Sequence, residues 1–515
     1  MRRKSENTGR TGKSLRNVAV DTAGQVISLI VRFIGRKVFV LFLAEEYLGL
    51  NGLFSNILTV LSLAELGVGT AIVYSLYRPL SEGNIEKVKS LMRLFKRAYT
   101  CIGLFVLCVG AALTPFLSFF VKEMPRLPHI RLIYLMYVGD SAASYFFSYK
   151  RSLLMADQNR YIISLYQYTI YTLKAALQIL LLWLYRDFII YLAAHMLSTL
   201  LENLLVSRRA DKMYPYLRDR DVKPLPEEVS GTIRKNVAAM LCHRLGGVVV
   251  NGTDNLLIAK LVAVSSVGLY SNYLMITTAL TTAYDAALQS LTAGFGNLNV
   301  SSDDAHKKEV FDRLSFGCSW LYGWSAICLV CLSQSFIRWW LGEALLLDMS
   351  TVCWIAAVFY VGGMRKATLL ARDAMGLYWN DRFKPLAEAL INLVVSIILG
   401  RRCGIDGILM GTVISTMTTC FWVEPLMLYR HGLHAPVGEY FLRYGLHTLI
   451  TLGALLLTQY GISLLPLGDG LPALLLRFVL CATLPNLFYL LCYRRKSELR
   501  YYKELAGRLL GKVLK

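Results

Sequence analysis

The chain has little charge for its length. Only 17% of its 515 residues are Asp, Glu, Lys or Arg, while 55% are hydrophobic and the mean hydropathy is +0.47. A soluble protein of this size carries more charge and lacks apolar runs long enough to cross a bilayer. Catalytic signatures are missing as well. There is no P-loop, which excludes nucleotide hydrolysis by the chain itself, and there is no HExxH, GxSxG or Cys/His metal spacing. The histidines are scattered. His243, His431, His434 and His447 sit at or near helix ends or in a polar stripe, with no partners at ligand spacing. The eleven cysteines lie mostly inside apolar segments, so no disulfide framework is implied. Cys328 and Cys331 form a CxxC on one such segment, where they read as small apolar side chains. Met1–Arg16 is basic and polar with no cleavage site behind a short apolar core, so no removable signal peptide is expected. These absences point away from an enzyme and imply neither a cofactor nor a metal.

What is present is a series of long apolar windows, about fourteen in all. The first six are Val18–Leu43, Leu53–Tyr77, Ala98–Val121, Ile130–Leu154, Ile162–Tyr185 and Phe188–Val206. Six more are Val237–Leu261, Leu269–Thr292, Phe316–Ile337, Met349–Leu370, Phe383–Leu399 and Gly404–Leu428. Tyr440–Leu465 and Leu471–Tyr493 complete the set. The net charge of +21 suggests nucleic acid at first sight, but the basic residues gather in short segments between spans. With the N-terminus in the cytoplasm, about 41 of the 55 basic residues fall in cytoplasmic segments and about 8 outside. Both termini are therefore expected on the cytoplasmic side. Arg78–Arg97 and Ser301–Arg313 are expected to be charged surface helices on that face, and all exterior loops are short.

The membrane-embedded sequence also says nearly the same thing twice. Gly52-Leu53-Phe54-Ser55-Asn56 returns as Gly268-Leu269-Tyr270-Ser271-Asn272, and Arg16-Asn17-Val18-Ala19 as Lys235-Asn236-Val237-Ala238. These echoes lie about 216 to 219 residues apart, which marks one long duplication. The fold expected is all-α and polytopic: two six-helix direct repeats around a central cavity, plus two C-terminal helices. Its parts are an N-terminal bundle (1–206), a Pro-containing cytoplasmic linker (207–234), a second bundle (235–430) and a final helix pair with a basic tail (431–515). An even number of crossings per repeat relates the halves by an axis along the membrane normal.

Charge inside the bilayer costs about 2.5–3.5 kcal/mol per residue and so marks bundle interiors and water-filled space. The first span carries Gln25, Arg32 and Arg36 on one helical stripe, with Lys37 beside it. Shifted by about 219 residues, the stripe becomes Arg244, Asn251 and Asn255, with Asp254 adjoining. Gln25, Arg32, Arg36, Arg244, Asn251, Asp254 and Asn255 are the candidate substrate contacts, because a guanidinium fork can bind two phosphate oxygens at once. The alternative is that the arginines pair internally with Asp254 or Glu65, or that Arg36 and Lys37 snorkel. Glu65, Asp140, Lys174 and Asp285 are candidate coupling or cavity residues, with structural pairing (Asp140 with Lys174, for example) as the competing reading. For Glu202 and Glu424, near span ends, structural pairing is favoured. The tyrosines of spans four and five, Tyr134, Tyr137, Tyr145, Tyr149, Tyr161, Tyr166, Tyr168 and Tyr171, fit an interfacial belt better than sugar stacking.

Three segments carry a family resemblance. Tyr47-Leu48-Gly49-Leu50-Asn51-Gly52-Leu53-Phe54-Ser55-Asn56, Leu61-Ser62-Leu63-Ala64-Glu65-Leu66-Gly67-Val68-Gly69 and Ser75-Leu76-Tyr77-Arg78-Pro79-Leu80 resemble the polysaccharide transporter (oligosaccharide flippase) family. Gly246-Gly247-Val248-Val249-Val250-Asn251-Gly252-Thr253-Asp254-Asn255 and Val267-Gly268-Leu269-Tyr270-Ser271-Asn272 extend the likeness. It implies the multidrug/oligosaccharidyl-lipid/polysaccharide exporter fold in a bacterial plasma membrane. The implied partner is a lipid-linked oligosaccharide, usually on undecaprenyl diphosphate, alongside membrane lipids and polysaccharide biosynthesis proteins. Rival expectations are a cation-coupled multidrug exporter or a lipid II flippase of the same fold. A membrane glycan polymerase is a further rival, although it should show a substantial exterior loop.

Overall fold

The computed structural model describes residues 24–513, apart from 66–67, 158, 220–221, 223, 226, 228–230, 232–252, 302, 378–382, 466–467 and 469. Secondary structure among the described residues is helical, with no strand. Two compact units are formed, one up to Gly268 and one from Leu269 onward. The first contains α1 (24–42), α2 (Glu45–Leu61), α3 (Val68–Ser81), α4 (Ile85–Ala112), α5 (Ile130–Ala156), α6 (Arg160–Tyr185), α7 (Phe188–Met213) and α8 (253–261). Helix α9 (Val264–Ser301) carries the chain across the boundary. The second unit then contains α10 (Asp304–Leu341), α11 (Met349–Met364), α12 (Lys366–Met375), α13 (Lys384–Thr418), α14 (Cys420–Leu428), α15 (Gly438–Ser463), α16 (Leu471–Cys492) and α17 (Ser497–Val513).

Six of these helices, α4, α6, α7, α10, α15 and α16, are long and apolar enough to cross a membrane. In five of them, all but α10, most of the apolar window is not buried, the reverse of a soluble bundle. On α15 the buried side carries His447, Thr451, Ala454 and Thr458, while Leu442, Leu449 and Leu456, seven residues apart, are 77%, 69% and 66% exposed. An unbroken leucine stripe facing outward is stable against acyl chains and not against water. The chain is a multi-pass membrane protein.

The duplication is visible in where helices begin. Glu45 and Val264, Ile85 and Asp304, and Ile130 and Met349 are helix starts, each pair 219 residues apart. The starts of α4 and α10 are also capped alike: Asn84 accepts from the Lys87 amide at 3.0 Å and Asp303 from the His306 amide at 3.2 Å. An acceptor at this position satisfies an otherwise orphaned N–H and pins the first turn. Two expectations are corrected here. Arg78–Arg97 and Ser301–Arg313 are not separate surface helices, because each cap launches one continuous helix that runs through its basic turns into the apolar run.

The expected second span, Leu53–Tyr77, is likewise not one helix. A tight turn at Ser62–Glu65 separates α2 from α3, whereas α9 runs unbroken through the corresponding Thr281-Thr282-Ala283-Tyr284-Asp285-Ala286-Ala287. Alanine is the best helix former and glycine costs about 1 kcal/mol more, so Gly67 and Gly69 weaken the first copy where the second is strengthened. Gly69 has a second reason to be glycine: a Cβ there would lie 2.9 Å from the Tyr99 hydroxyl, which donates to Glu65 Oε1 at 3.0 Å.

Helix α13 contains a reversal at Gly404 (φ 60°, ψ −132°), a conformation that only glycine adopts without strain. The two limbs pair antiparallel, Ser396 with Ile408, Asn392 with Thr412 and Glu388 with Thr416. This reversal separates the spans expected at Phe383–Leu399 and Gly404–Leu428.

Candidate functional site

Five helices of the first unit enclose a cavity of about 570 Å³. Each offers it a polar group at helical spacing: Arg32 and Arg36 from α1, Asn51 and Ser55 from α2, and Tyr137 and Asp140 from α5. Helix α6 adds Tyr171, Lys174 and Gln178, and α7 adds Tyr191 and His195. Spacings of three, four and seven residues put these groups on one face of each helix, which leaves the opposite faces apolar for lipid. Leu173, Leu177 and Leu180 show this on α6, 61%, 43% and 50% exposed.

The cavity wall is built by local contacts. Tyr137 donates to Asn51 Oδ1 at 2.7 Å, tying α5 to α2. Gln178 donates to the Tyr191 carbonyl at 3.1 Å, tying α6 to α7. Phe39 meets Tyr191 edge-on with ring centres 5.3 Å apart, which closes α1 against α7. Tyr47 and Phe188 pack at 4.6 Å behind them.

Three cationic side chains face one carboxylate inside this cavity. Lys174 Nζ lies 3.2 Å from His195 Nδ1, and His195 Nε2 lies 3.5 Å from Asp140 Oδ2. An ammonium only donates, so Nδ1 must be the acceptor and the imidazole proton sits on Nε2, facing Asp140. The structure thus replaces a direct Asp140–Lys174 pair by a chain of three. Asp140 Oδ1 is buried with no hydrogen-bond partner among the described residues. Arg32 is exposed to the cavity and has no hydrogen-bond or ion-pair partner among those residues. Arg36, one turn on, is half-buried beside it.

The other sequence candidates are distributed differently. Gln25 is exposed on α1 and does not line the cavity. Arg244 and Asn251 lie outside the described residues. Asp254 and Asn255 are half-buried on α8, away from the cavity lining, and the Asn255 side-chain oxygen is buried without a hydrogen-bond partner among the described residues. Glu65 is held under the α2–α3 turn by Tyr99 and does not line the cavity. Asp285, in the second unit, is paired with Lys366 at 2.7 Å.

Structural pairing accounts for the charges near span ends. Glu202 binds Arg151, and Glu424 binds both Arg365, at 2.7 Å, and Lys384. Arg365 also reaches Glu388 at 3.1 Å, so two carboxylates and two cations neutralise one another.

The belt reading of the tyrosines is corrected. Tyr134 and Tyr145 are buried, and Tyr137 and Tyr171 face the cavity. Helix packing turns them inward, because the outer faces of α5 and α6 are already supplied with leucine. The sequence reading missed His195, Asn51 and Tyr191. The available signal was a single histidine in the middle of an apolar run, four residues from a tyrosine.

The chain is an all-helical, polytopic membrane protein, and its fold is shared with solved structures of the multidrug/oligosaccharidyl-lipid/polysaccharide superfamily, the fold that the resemblance implied. Among solved structures the chain is similar to an inward-facing multidrug resistance MATE family transporter of that superfamily, with a TM-score of 0.63 and 12% identity over 80% of this chain and 97% of that one. It is similar to the lipid II flippase MurJ in an inward closed conformation, with a TM-score of 0.63 and 14% identity over 92% of this chain and 99% of the other. A mutant of the Vibrio cholerae MATE transporter VcmN matches with a TM-score of 0.56 and 12% identity, over 83% and 99% of the two chains. No protein-family model matches the sequence, and no curated protein matches it.

Proposed function

We propose that the protein is a flippase that moves a lipid-linked oligosaccharide, carried on undecaprenyl diphosphate, from the cytoplasmic to the outer leaflet of a bacterial plasma membrane. The observation that carries this reading is the charge of the cavity, where Arg32, Arg36 and Lys174 outnumber Asp140. A site for cationic drugs would favour the opposite balance, since a carboxylate must compensate the drug. A guanidinium fork binds two phosphate oxygens at once, and Arg32 stands exposed to the cavity with its donors unspent.

The helix starts repeated at 219 residues support two direct six-helix repeats that rock around a shared site, with α15 and α16 as an appendix. In that arrangement Arg244, Asn251, Asp254 and Asn255 are the counterparts of the first-half stripe. The prenyl tail stays in lipid while the headgroup crosses. Both termini lie in the cytoplasm, so outward movement of the anionic headgroup is favoured by about 2.3 kcal/mol per charge per 100 mV of inside-negative potential. Transport of this kind forms no covalent intermediate and uses no cofactor.

The test is a deletion strain complemented with wild-type or variant protein. Loss of the protein leaves lipid-linked glycan facing inward, whereas loss of a polymerase leaves exported units unjoined. Arg32→Ala combined with Arg244→Ala, or with Arg36→Ala, abolishes export at normal protein levels. Unchanged export in both double variants would sink the anion-site reading.

A further inference from the structure

The amino-terminal unit has a second polar cavity at its opposite end. The first turns of α4, the later part of α5 and the segment after α7 enclose about 670 Å³. Tyr149, in this cavity, lies twelve residues along α5 from Tyr137 in the first one, about 18 Å at 1.5 Å per residue. The two spaces are separate.

Its basic lining divides into spent and unspent cations. Lys89 is held by Asp219 at 2.7 Å and Glu86 at 2.9 Å, and Arg93 donates to the Val222 carbonyl at 3.1 Å. These contacts fix the rim. Lys96 and Arg97 also line the cavity and are exposed, and their side chains have no hydrogen-bond or ion-pair partner among the described residues. Tyr216 adds a hydroxyl that burial pushes up to about 12, so it stays a neutral donor. Two unspent cations, Lys96 and Arg97, and a neutral hydroxyl therefore line this space, and Asp219, the acid in the lining, is already taken by Lys89.

The same helix face continues into an apolar stripe. From Arg97, steps of four, seven, eight and eleven residues reach Cys101, Leu104, Phe105 and Cys108, all exposed. Leu104 and Phe105 are 48% and 49% exposed. One face of α4 thus presents free cations where the charged turns end and an uncovered hydrocarbon surface where the apolar run begins. That order matches a lipid, whose phosphoryl headgroup sits at the boundary and whose chain runs inward from it.

We propose that this cavity binds the phosphoryl headgroup of a membrane lipid, with Lys96 and Arg97 on the phosphate oxygens and the lipid chain along Cys101, Leu104 and Phe105. The site is distinct from the cavity between α1 and α7 and does not depend on which cargo passes there.

Native mass spectrometry of the purified full chain tests it, with phosphatidylglycerol and phosphatidylcholine as probes. Wild-type protein retains phosphatidylglycerol over phosphatidylcholine, and Lys96→Gln/Arg97→Gln weakens that retention by about tenfold. Arg401→Gln/Arg402→Gln removes the same charge from the second unit and leaves retention unchanged. Equal retention by wild type and the Lys96/Arg97 variant overturns the proposal, and so does equal loss in both double variants. Inorganic diphosphate in excess displaces the lipid if phosphoryl oxygens are what is read, and failure to displace it counts against the site. Leu104→Ser/Phe105→Ser separates the sources: weakened lipid retention supports a lipid-borne headgroup, and unchanged retention overturns that assignment in favour of a free phosphoryl anion. Elution position and melting temperature matching wild type exclude misfolding, since all four residues are exposed.

Discussion

Lys174 and His195 meet end to end, Nζ to Nδ1, at 3.2 Å inside the amino-terminal cavity. Because the ammonium cannot accept, the contact fixes the imidazole tautomer and aims its remaining N–H at Asp140. The histidine therefore passes the influence of one carboxylate to one cation. Replacing His195 by Ala breaks the chain and leaves Lys174 without that support, and export in the complemented strain falls by about tenfold. His195→Gln keeps both an acceptor and a donor and restores most of it. Equal activity of the Ala and Gln variants would show that the chain has no part in transport.

Arg32 tests geometry rather than charge. Lys at this position preserves the positive sign but loses the two-pronged donor fork. Export by Arg32→Lys is expected to lie between wild type and Arg32→Ala, with the loss appearing in affinity for the lipid-linked diphosphate. A lysine variant as active as wild type would reduce the residue to a point charge.

The Arg365 cluster predicts a stability effect without a transport signature of its own. Arg365 binds Glu424 and Glu388 together, and Glu424 is almost completely buried. Arg365→Met strands two carboxylates against a single remaining lysine, at a cost of about 3–5 kcal/mol. Thermal melting in detergent reads this as a large drop. Restoring neutrality with Glu388→Gln in the same chain recovers part of it, and no recovery would mean the arginine acts through packing alone.

Gly49 packs against the first turn of α9 so closely that a Cβ would stand 2.0 Å from the Val264 carbonyl oxygen. Gly49→Ala forces the two backbones apart and lowers stability by about 1–3 kcal/mol. Gly445, on α15, is the control: a methyl group there would meet nothing within 4 Å, and Gly445→Ala is neutral or mildly stabilising. Equal melting of the two variants would mean that the helices separate at no cost.

Orientation can be read with a membrane-impermeant thiol reagent on cysteine-free protein in intact cells. Glu123→Cys, in the connection before α5, reacts from outside, and Glu82→Cys, at the turn before α4, does not. The reverse pattern would invert the topology and with it the direction of export.

Much of the architecture was legible in the residues. Long apolar windows, basic connections and the repeated Gly-Leu-aromatic-Ser-Asn follow from hydropathy and spacing, which are local properties. The same holds for the stripe of Arg32 and Arg36, which helical periodicity alone places on one face. Periodicity does not say whether a helix continues, so the turn at Ser62–Glu65 and the unbroken starts of α4 and α10 came only with the structure. Nor does it say which neighbour a face meets. The tyrosines that composition assigns to an interface are turned inward, because the outer faces were already supplied with leucine.

The sequence by itself determined that this is a duplicated, multi-pass, all-helical membrane protein with charged residues of both signs placed where lipid would reject them. Only the tertiary structure decided which of those charges are spent. Glu65, Glu202, Asp285 and Glu424 have partners from other helices, and His195 joins Lys174 to Asp140 across two of them. A charge is functional or structural according to what stands within a few ångströms of it, and that neighbour is set by helix packing between residues far apart in the chain.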